Sequence, residues 1–181
     1  IRDSYDGDCD LTEARDNPLG DIYHSELVTV GAPNAETAFT GKNQEAYFRS
    51  INNYDTWAAS KSNREEIIYV GANDGMLHAF NANTGVEEWA FVPPFIASSM
   101  PTMINVNLNQ TFGGSNAIYG VDGSPVVHDM YFRSAFDSAK QWHTILMIPY
   151  GRGGAGFSVL DITDPYLSLI HISEPTRQWS I

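Results

Sequence analysis

Three aspartates near the start of the chain are spaced as calcium ligands often are. Asp6, Asp8 and Asp10 alternate along the sequence, and carboxylate oxygens are the hard donors that Ca²⁺ prefers. An EF-hand loop beginning at Asp6 would need glycine at its sixth position and glutamate at its twelfth, where this chain has Leu11 and Asn17. The pattern therefore favours a solvated acidic loop, with the three aspartates as weak metal candidates.

A glycine-rich segment matches a nucleotide-binding pattern. Gly151, Gly153 and Gly156 satisfy GxGxxG and follow an apolar run. In a dinucleotide-binding fold a helix must come next, because its amino terminus holds the pyrophosphate. The next residues, 157–161, are instead β-prone and are soon followed by Pro165. We therefore expect a wide glycine turn between two strands and no bound dinucleotide.

The histidines and tryptophans fit packing better than catalysis. No two histidines lie at helical spacing and no second cysteine accompanies Cys9, so the sequence gives no zinc site. His78 alternates with Met76 and Phe80 along a β-prone run, which predicts a packed, hydrogen-bonded histidine. Trp89 has a large apolar area suited to docking between two sheets. We therefore assign no catalytic residue.

Residues 67–92 give the clearest secondary-structure signal. Two apolar runs flank Asp74 and Gly75, and an Asp-Gly pair supplies the positive φ angles of a tight hairpin turn. Gly85 offers a second turn, after which Trp89 lies in a run that alternates with period two. The segment predicts a three-stranded antiparallel meander that ends at a proline pair.

The flanking segments predict a repeated plan. We expect a short strand within residues 19–31 and a short helix near residues 46–51, inside a long excursion between strands. Residues 121–161 repeat the order of strand, excursion, apolar strand, glycine turn and strand. The equivalent strand ends, Asn81 and Asp161, lie 80 residues apart. Repetition of a small sheet at this length predicts consecutive blades of an all-β propeller.

Four motifs in a fixed order resemble a known family. The run YVGANDGMLHAF at residues 69–80, followed by NANTGVEEW, resembles the repeat of quinoprotein-like propellers. Three further motifs narrow the resemblance to the PilY/PilC family of type IV pilus biogenesis factors and tip adhesins. In order, they are LGDI with VGAP at residues 19–22 and 30–33, VDGSP at 121–125, and LDITDP at 160–165.

The resemblance implies a partial β-propeller of a large exported protein that promotes pilus extension and adhesion at the cell surface. It implies pilus subunits or minor pilins, and a host or surface receptor, as partners. It also implies Ca²⁺ in the full-length protein, in an aspartate-rich loop that follows the matched region, so no residue here is assigned to that loop. The residues of the family motifs are interpreted as structural: Gly71, Asn73, Asp74, Gly75, His78, Phe80, Gly85, Trp89, Asp122, Gly123, Asp161 and Asp164.

A quinoprotein dehydrogenase is the alternative, because such enzymes share the blade signature and hold a quinone with calcium. The adjacent cysteine pair that many of them place against the quinone is missing from this sequence, which has only Cys9. We therefore expect a non-catalytic binding module without a cofactor in this chain. Loops on a stiff scaffold commonly carry recognition, so residues 34–64 and 95–120 are the predicted recognition surfaces.

The charge of the chain excludes several partners. Twenty-two acidic against ten basic residues give a formal net charge of −12, which repels nucleic acid and anionic lipid headgroups. The longest apolar runs fall far short of the roughly 20 residues that span a bilayer, so we expect no membrane insertion. The start at Ile1 shows no signal peptide, and we expect the chain to be mature or cut.

The sequence divides into three parts. Residues 1–18 form an acidic loop or linker, and residues 19–166 form the partial propeller. Residues 167–177, with the sequence LSLIHISEPTR, resemble the translated reading of a transposon-type sequencing adapter. We therefore expect residues 167–181 to be foreign to the natural protein and exclude them from the fold prediction.

Overall fold

The described strands form two four-stranded antiparallel sheets, in each of which neighbours in sequence pair. The computed structural model describes residues 19–99 and 119–166, and the backbone of 169–173; Asp6, Asp8 and Asp10 lie outside these ranges. The first sheet contains β1 (Val28–Val30), β2 (Ile67–Gly71), β3 (Leu77–Asn81) and β4 (Glu87–Phe91). The second contains β5 (Val126–Phe132), β6 (Gln141–Pro149), β7 (Phe157–Asp161) and β8 (Leu169–Ser173).

Short helices lie between the strands: α1 (Gln44–Ile51), α2 (Tyr54–Ser60) and α3 (Pro94–Ala97). The side chain of Asn43 caps α1 by accepting a hydrogen bond from the Ala46 amide at 3.1 Å. The predicted helix near residues 46–51 is confirmed, whereas α2 was not predicted. In the described ranges α1 is the longest helix, at eight residues, and none has the length and apolarity to cross a membrane.

The predicted meander over residues 67–92 is confirmed, with glycines at both turns. Gly75 and Gly85 have φ angles of 90° and 71°, a region that glycine enters without steric cost. The sequence did not predict that β1 would pair with β2 as a fourth strand, with Val28 opposite Tyr69.

The two sheets pack face to face over one apolar core. Side chains from β2, β3, β6 and β7, together with Ile96 and Val121, make up its buried centre. Two stacked antiparallel meanders are the arrangement of adjacent propeller blades, so the predicted all-β partial propeller is confirmed. The two described sheets do not close into a ring.

The third strands of the two sheets end in the same way, which supports the predicted repeat. The Asn81 side chain accepts hydrogen bonds from the amides of Asn83 and Thr84 at 3.0 and 3.2 Å. The Asp161 side chain accepts one from the amide of Thr163 at 2.9 Å. The side-chain oxygen of Asn81 thus stabilises the turn after β3, and that of Asp161 stabilises the turn after β7.

The second unit differs from the prediction in the link between β5 and β6. An excursion was expected there, but residues 133–140 make a short connection. The Asp137 carboxylate accepts a hydrogen bond from the Ser134 amide at 2.9 Å. Hydrogen bonding from Ser134 lowers the pKa of Asp137, which keeps the carboxylate charged within this compact loop.

β8 is the outer strand of the second sheet and pairs antiparallel with β7. An open sheet edge offers unpaired backbone groups to any β-prone segment, so this pairing requires no particular side chains. The expectation that residues 167–181 are foreign to the natural protein therefore stays a prediction.

Candidate functional site

Loops from both sheets meet at one end of the stack. The Val121 amide donates to the Ala72 carbonyl at 3.0 Å, and the Gly120 amide donates to the Asn73 side chain at 3.2 Å. These bonds fix the loop before β5 to the β2–β3 turn, so the two blades share one continuous surface here. We call this surface the blade junction; it comprises residues 19–26, 72–76, 119–124 and 150–154.

Asp122 and Gly123 of the VDGSP motif lie within the blade junction. The Asp122 amide donates to the Tyr150 carbonyl at 3.2 Å. Its carboxylate is only 3% exposed and lies 2.8 Å from Nδ1 of His24. A Cβ atom on Gly123 would lie 2.4 Å from the Pro149 carbonyl oxygen, so only glycine permits this close approach of two backbones.

Asp74 links the β2–β3 turn to the first segment of the junction. One carboxylate oxygen accepts a hydrogen bond from the Met76 amide at 2.9 Å. The other accepts from the Gly20 amide at 2.8 Å and lies 2.9 Å from Nε2 of His78. The carboxylate therefore holds the turn, the neighbouring segment and a buried histidine together.

His78 lies between two carboxylates on the face of the first sheet that points away from the core. Its side chain is 0% exposed, its Nδ1 lies 2.7 Å from Glu87, and its ring stacks on Phe80. Burial alone would lower the pKa of His78, but the hydrogen bonds to Asp74 and Glu87 outweigh it and raise the pKa. This is the packed, hydrogen-bonded histidine that the sequence predicted.

A second histidine, which the sequence analysis did not single out, has similar surroundings in the second sheet. Nδ1 of His143 lies 2.6 Å from Asp161, and Nε2 lies 3.0 Å from Asp137. The ring also packs against Phe132, with 4.5 Å between ring centroids. Each described blade thus carries one buried histidine between two carboxylates.

Trp89, Asp164 and Gly85 lie outside the blade junction. Nε1 of Trp89 donates to the Pro165 carbonyl at 2.8 Å and so links the outer strand of the first sheet to the segment after β7. The Asp164 side chain accepts a hydrogen bond from the Tyr166 amide at 3.0 Å, and Gly85 closes the β3–β4 turn. The structure therefore brings some of the predicted motif residues together at the blade junction and leaves others outside it, so they do not form one site.

A polar cleft of about 580 Å³ lies between β1 and β5. Arg64 crosses it: Nε donates to the Gly31 carbonyl at 2.7 Å, and Nη1 donates to the Thr144 hydroxyl at 2.7 Å. Burial lowers the pKa of Arg64, and the nearby Asp129 carboxylate offsets only part of that effect. The guanidinium thus connects the first sheet to the second through the cleft.

The excursion between β1 and β2 packs against the second sheet. The Tyr54 hydroxyl donates to Asp129 at 2.5 Å, and Nε1 of Trp142 donates to the Asn52 carbonyl at 2.9 Å. The Tyr54 and Trp142 rings meet edge to face at 4.9 Å. Part of the excursion at residues 34–64 is therefore fixed against β5 and β6, while Tyr47 and Ile51 on α1 stay more than half exposed. The recognition role of this excursion stays a prediction.

Replacing Tyr54 by phenylalanine should destabilise the protein by about 1.5–3 kcal/mol, the range for a hydrogen bond to a charged group. The Tyr54 side chain is 1% exposed, so the substitution removes a donor to Asp129 from a buried position. Chemical unfolding of the full-length protein, followed by tryptophan fluorescence, measures the change. The control is Tyr47→Phe on α1, where the ring is 51% exposed; equal effects of the two variants would contradict the prediction.

The glycine-rich segment forms a turn, as predicted. Gly151–Gly153 makes one turn of 3₁₀ helix, and the chain then enters β7. No helix amino terminus therefore follows the glycines. Within the described ranges, no group of three or more histidine, cysteine or acidic side chains is placed to hold a metal ion.

Comparison with known proteins identifies relatives over most of the chain. The protein-family model of the PilY1 β-propeller domain matches residues 19–171 of this chain. A type IV pilus biogenesis factor PilY1 homologue of Xylella fastidiosa is 41% identical over 151 residues, covering 83% of this chain and 11% of the relative. PilY1 of Pseudomonas aeruginosa is 37% identical over 147 residues, covering 81% of this chain and 11% of the relative.

A solved structure is similar as well. The C-terminal domain of Pseudomonas aeruginosa PilY1 superposes with a TM-score of 0.51 and 33% sequence identity. The match covers 78% of this chain and 24% of that domain. The chain therefore spans about a tenth of the length of the curated relatives and about a quarter of the solved domain.

Proposed function

This chain belongs to the PilY1 β-propeller family, and from that membership we propose that it is part of a type IV pilus biogenesis factor that acts by binding. The observation that carries the proposal is the identity of 41% and 37% to pilus biogenesis factors over more than four fifths of the chain. Association with the pilus at the cell surface follows from the same relatives.

The described architecture is suited to binding. Two blades packed on one core give a stiff support, and the blade junction displays loops from both of them. We propose pilus subunits or minor pilins as the first partners of such loops, and a host or surface receptor as the target during adhesion. Residues 95–99 begin the second predicted recognition excursion, most of which lies outside the described residues.

Removing residues 19–166 from the full-length protein in its source bacterium is expected to abolish surface pili and twitching motility. Cells that carry the Gly31→Ala protein should remain piliated, because a Cβ atom at Gly31 comes no closer than 3.7 Å to its neighbours. Pili are counted by electron microscopy, and immunoblots verify that both proteins are made and exported. Normal piliation without residues 19–166 would contradict the proposal.

We also propose that this chain has no catalytic activity of its own. The quinoprotein alternative requires quinone-dependent absorbance and dye reduction by the purified full-length protein, and we expect neither. We propose that calcium binds in the full-length protein, in an aspartate-rich loop that follows the matched region. Dye reduction that depends on an added quinone would instead support the dehydrogenase.

A further inference from the structure

The blade junction exposes a group of aromatic and cationic side chains. Tyr23 and Tyr119 are 70% and 37% exposed, and the His24 side chain lies beside them at 40%. Arg152 is also exposed and comes from the other sheet, in the turn between β6 and β7. We call these four residues the junction patch. Three separate segments of the chain build it.

Contacts among these side chains order the patch. Nη1 of Arg152 donates to the Tyr119 hydroxyl at 3.0 Å, and its guanidinium carbon lies 5.3 Å from the centre of that ring. The Tyr23 and His24 rings meet edge to face at 4.3 Å, and His24 is held by the buried Asp122. A patch that is ordered before binding loses little side-chain entropy when a partner arrives.

The charge of the patch selects the partner. The Asp122 carboxylate is nearly buried and lies against His24, whereas the Arg152 side chain is exposed, so a partner can reach the cation more readily than this carboxylate. Its one hydrogen bond within the described residues goes to Tyr119, which leaves guanidinium N–H donors directed to solvent. A guanidinium with free N–H donors binds a carboxylate through charge-assisted hydrogen bonds, which act locally at the patch.

We propose that the junction patch is a docking site for an acidic peptide segment of a protein partner, in which a carboxylate is followed or preceded by an apolar side chain. Arg152 would bind the carboxylate, and the rings of Tyr23 and Tyr119 would receive the apolar group. Tyrosine and arginine are the residues that protein interfaces favour, which supports a protein over a sugar. The proposal rests on the proposed function, because it describes a partner of the pilus factor.

The test uses the full-length protein and a synthetic peptide array tiled over the pilus subunits of the source bacterium. Each peptide is paired with a copy in which glutamate and aspartate are replaced by glutamine and asparagine. We expect binding to acidic peptides only, weakened about tenfold or more by Arg152→Gln and also reduced by Tyr23→Ala. Arg133→Gln, which removes an exposed arginine from the β5–β6 connection outside the junction, should leave binding unchanged.

Three outcomes would overturn the inference. They are equal binding of the acidic and amide peptides, binding that Arg152→Gln leaves intact, and Arg152-dependent binding of oligogalacturonate without any peptide binding. The last result would assign the patch to acidic sugars. These failures differ from failure of the proposed function, which is measured by piliation after removal of residues 19–166.

Discussion

Replacing Gly71 by alanine is expected to destabilise the protein by about 3 kcal/mol, the combined cost of overpacking a core and breaking a hydrogen bond. Gly71 ends β2 at the blade junction. A Cβ atom there would lie 2.3 Å from the Val121 carbonyl oxygen and 2.7 Å from the Val121 Cγ1 atom. Real Cβ atoms do not approach other atoms so closely, so one of the two blades must move.

The surroundings of Gly71 leave little room for that movement. Val121 is 0% exposed and belongs to the shared core, and its amide donates to the Ala72 carbonyl at 3.0 Å. The Gly71 amide itself donates to the Ser25 hydroxyl at 3.0 Å. Shifting Val121 would therefore remove apolar contacts and a hydrogen bond between the blades at the same time.

Gly31→Ala is the matched control for this substitution. Gly31 follows β1 directly, and the nearest atom to its added methyl group, on Glu66, is 3.7 Å away. We expect a change of less than about 1 kcal/mol there. Urea unfolding of the full-length proteins measures the change in unfolding free energy for both variants. A Gly71→Ala protein as stable as Gly31→Ala would show that the blades do not pack as described.

Local sequence was sufficient to predict the meander and one helix, because their signals lie within a few residues of each other. The Asp-Gly pair at Asp74 and the glycine at Gly85 have conformational preferences that do not depend on the rest of the chain. The helix α2 carries no such local signal. It is positioned by Tyr54, whose ring meets Trp142 and whose hydroxyl reaches Asp129, both far away in sequence.

The surroundings of His78 show a second limit of sequence reasoning. The alternation of Trp89 and Phe91 would place Glu87 on the core face with Trp89. A bulge shifts the β3–β4 register between Ala79 and Phe80, so that Glu87, and not Glu88, lies opposite Phe80. This one-residue shift turns Glu87 toward His78, and no periodicity in the sequence indicates it.

Replacing His78 by glutamine is expected to cost about 3–5 kcal/mol near pH 6, as is typical when one partner is removed from a buried ion pair. Only the protonated imidazole can donate from both ring nitrogens, to Glu87 at 2.7 Å and to Asp74 at 2.9 Å. A glutamine cannot reproduce both bonds, so at least one carboxylate would lose its partner. His128→Gln is the control, because that ring is exposed.

The cost of His78→Gln should depend on pH in a defined direction. Because the folded protein raises the pKa of His78 above its ordinary value of 6.5, protonation favours the folded state. That contribution is fully present below about pH 6.5, the pKa of an unfolded histidine, and is lost as the pH rises through the higher folded pKa. The difference in unfolding free energy between wild type and His78→Gln should therefore shrink from pH 6 toward pH 9. Urea unfolding at several pH values measures it, and a difference that stays constant or grows with pH would mean that His78 is held as the neutral ring.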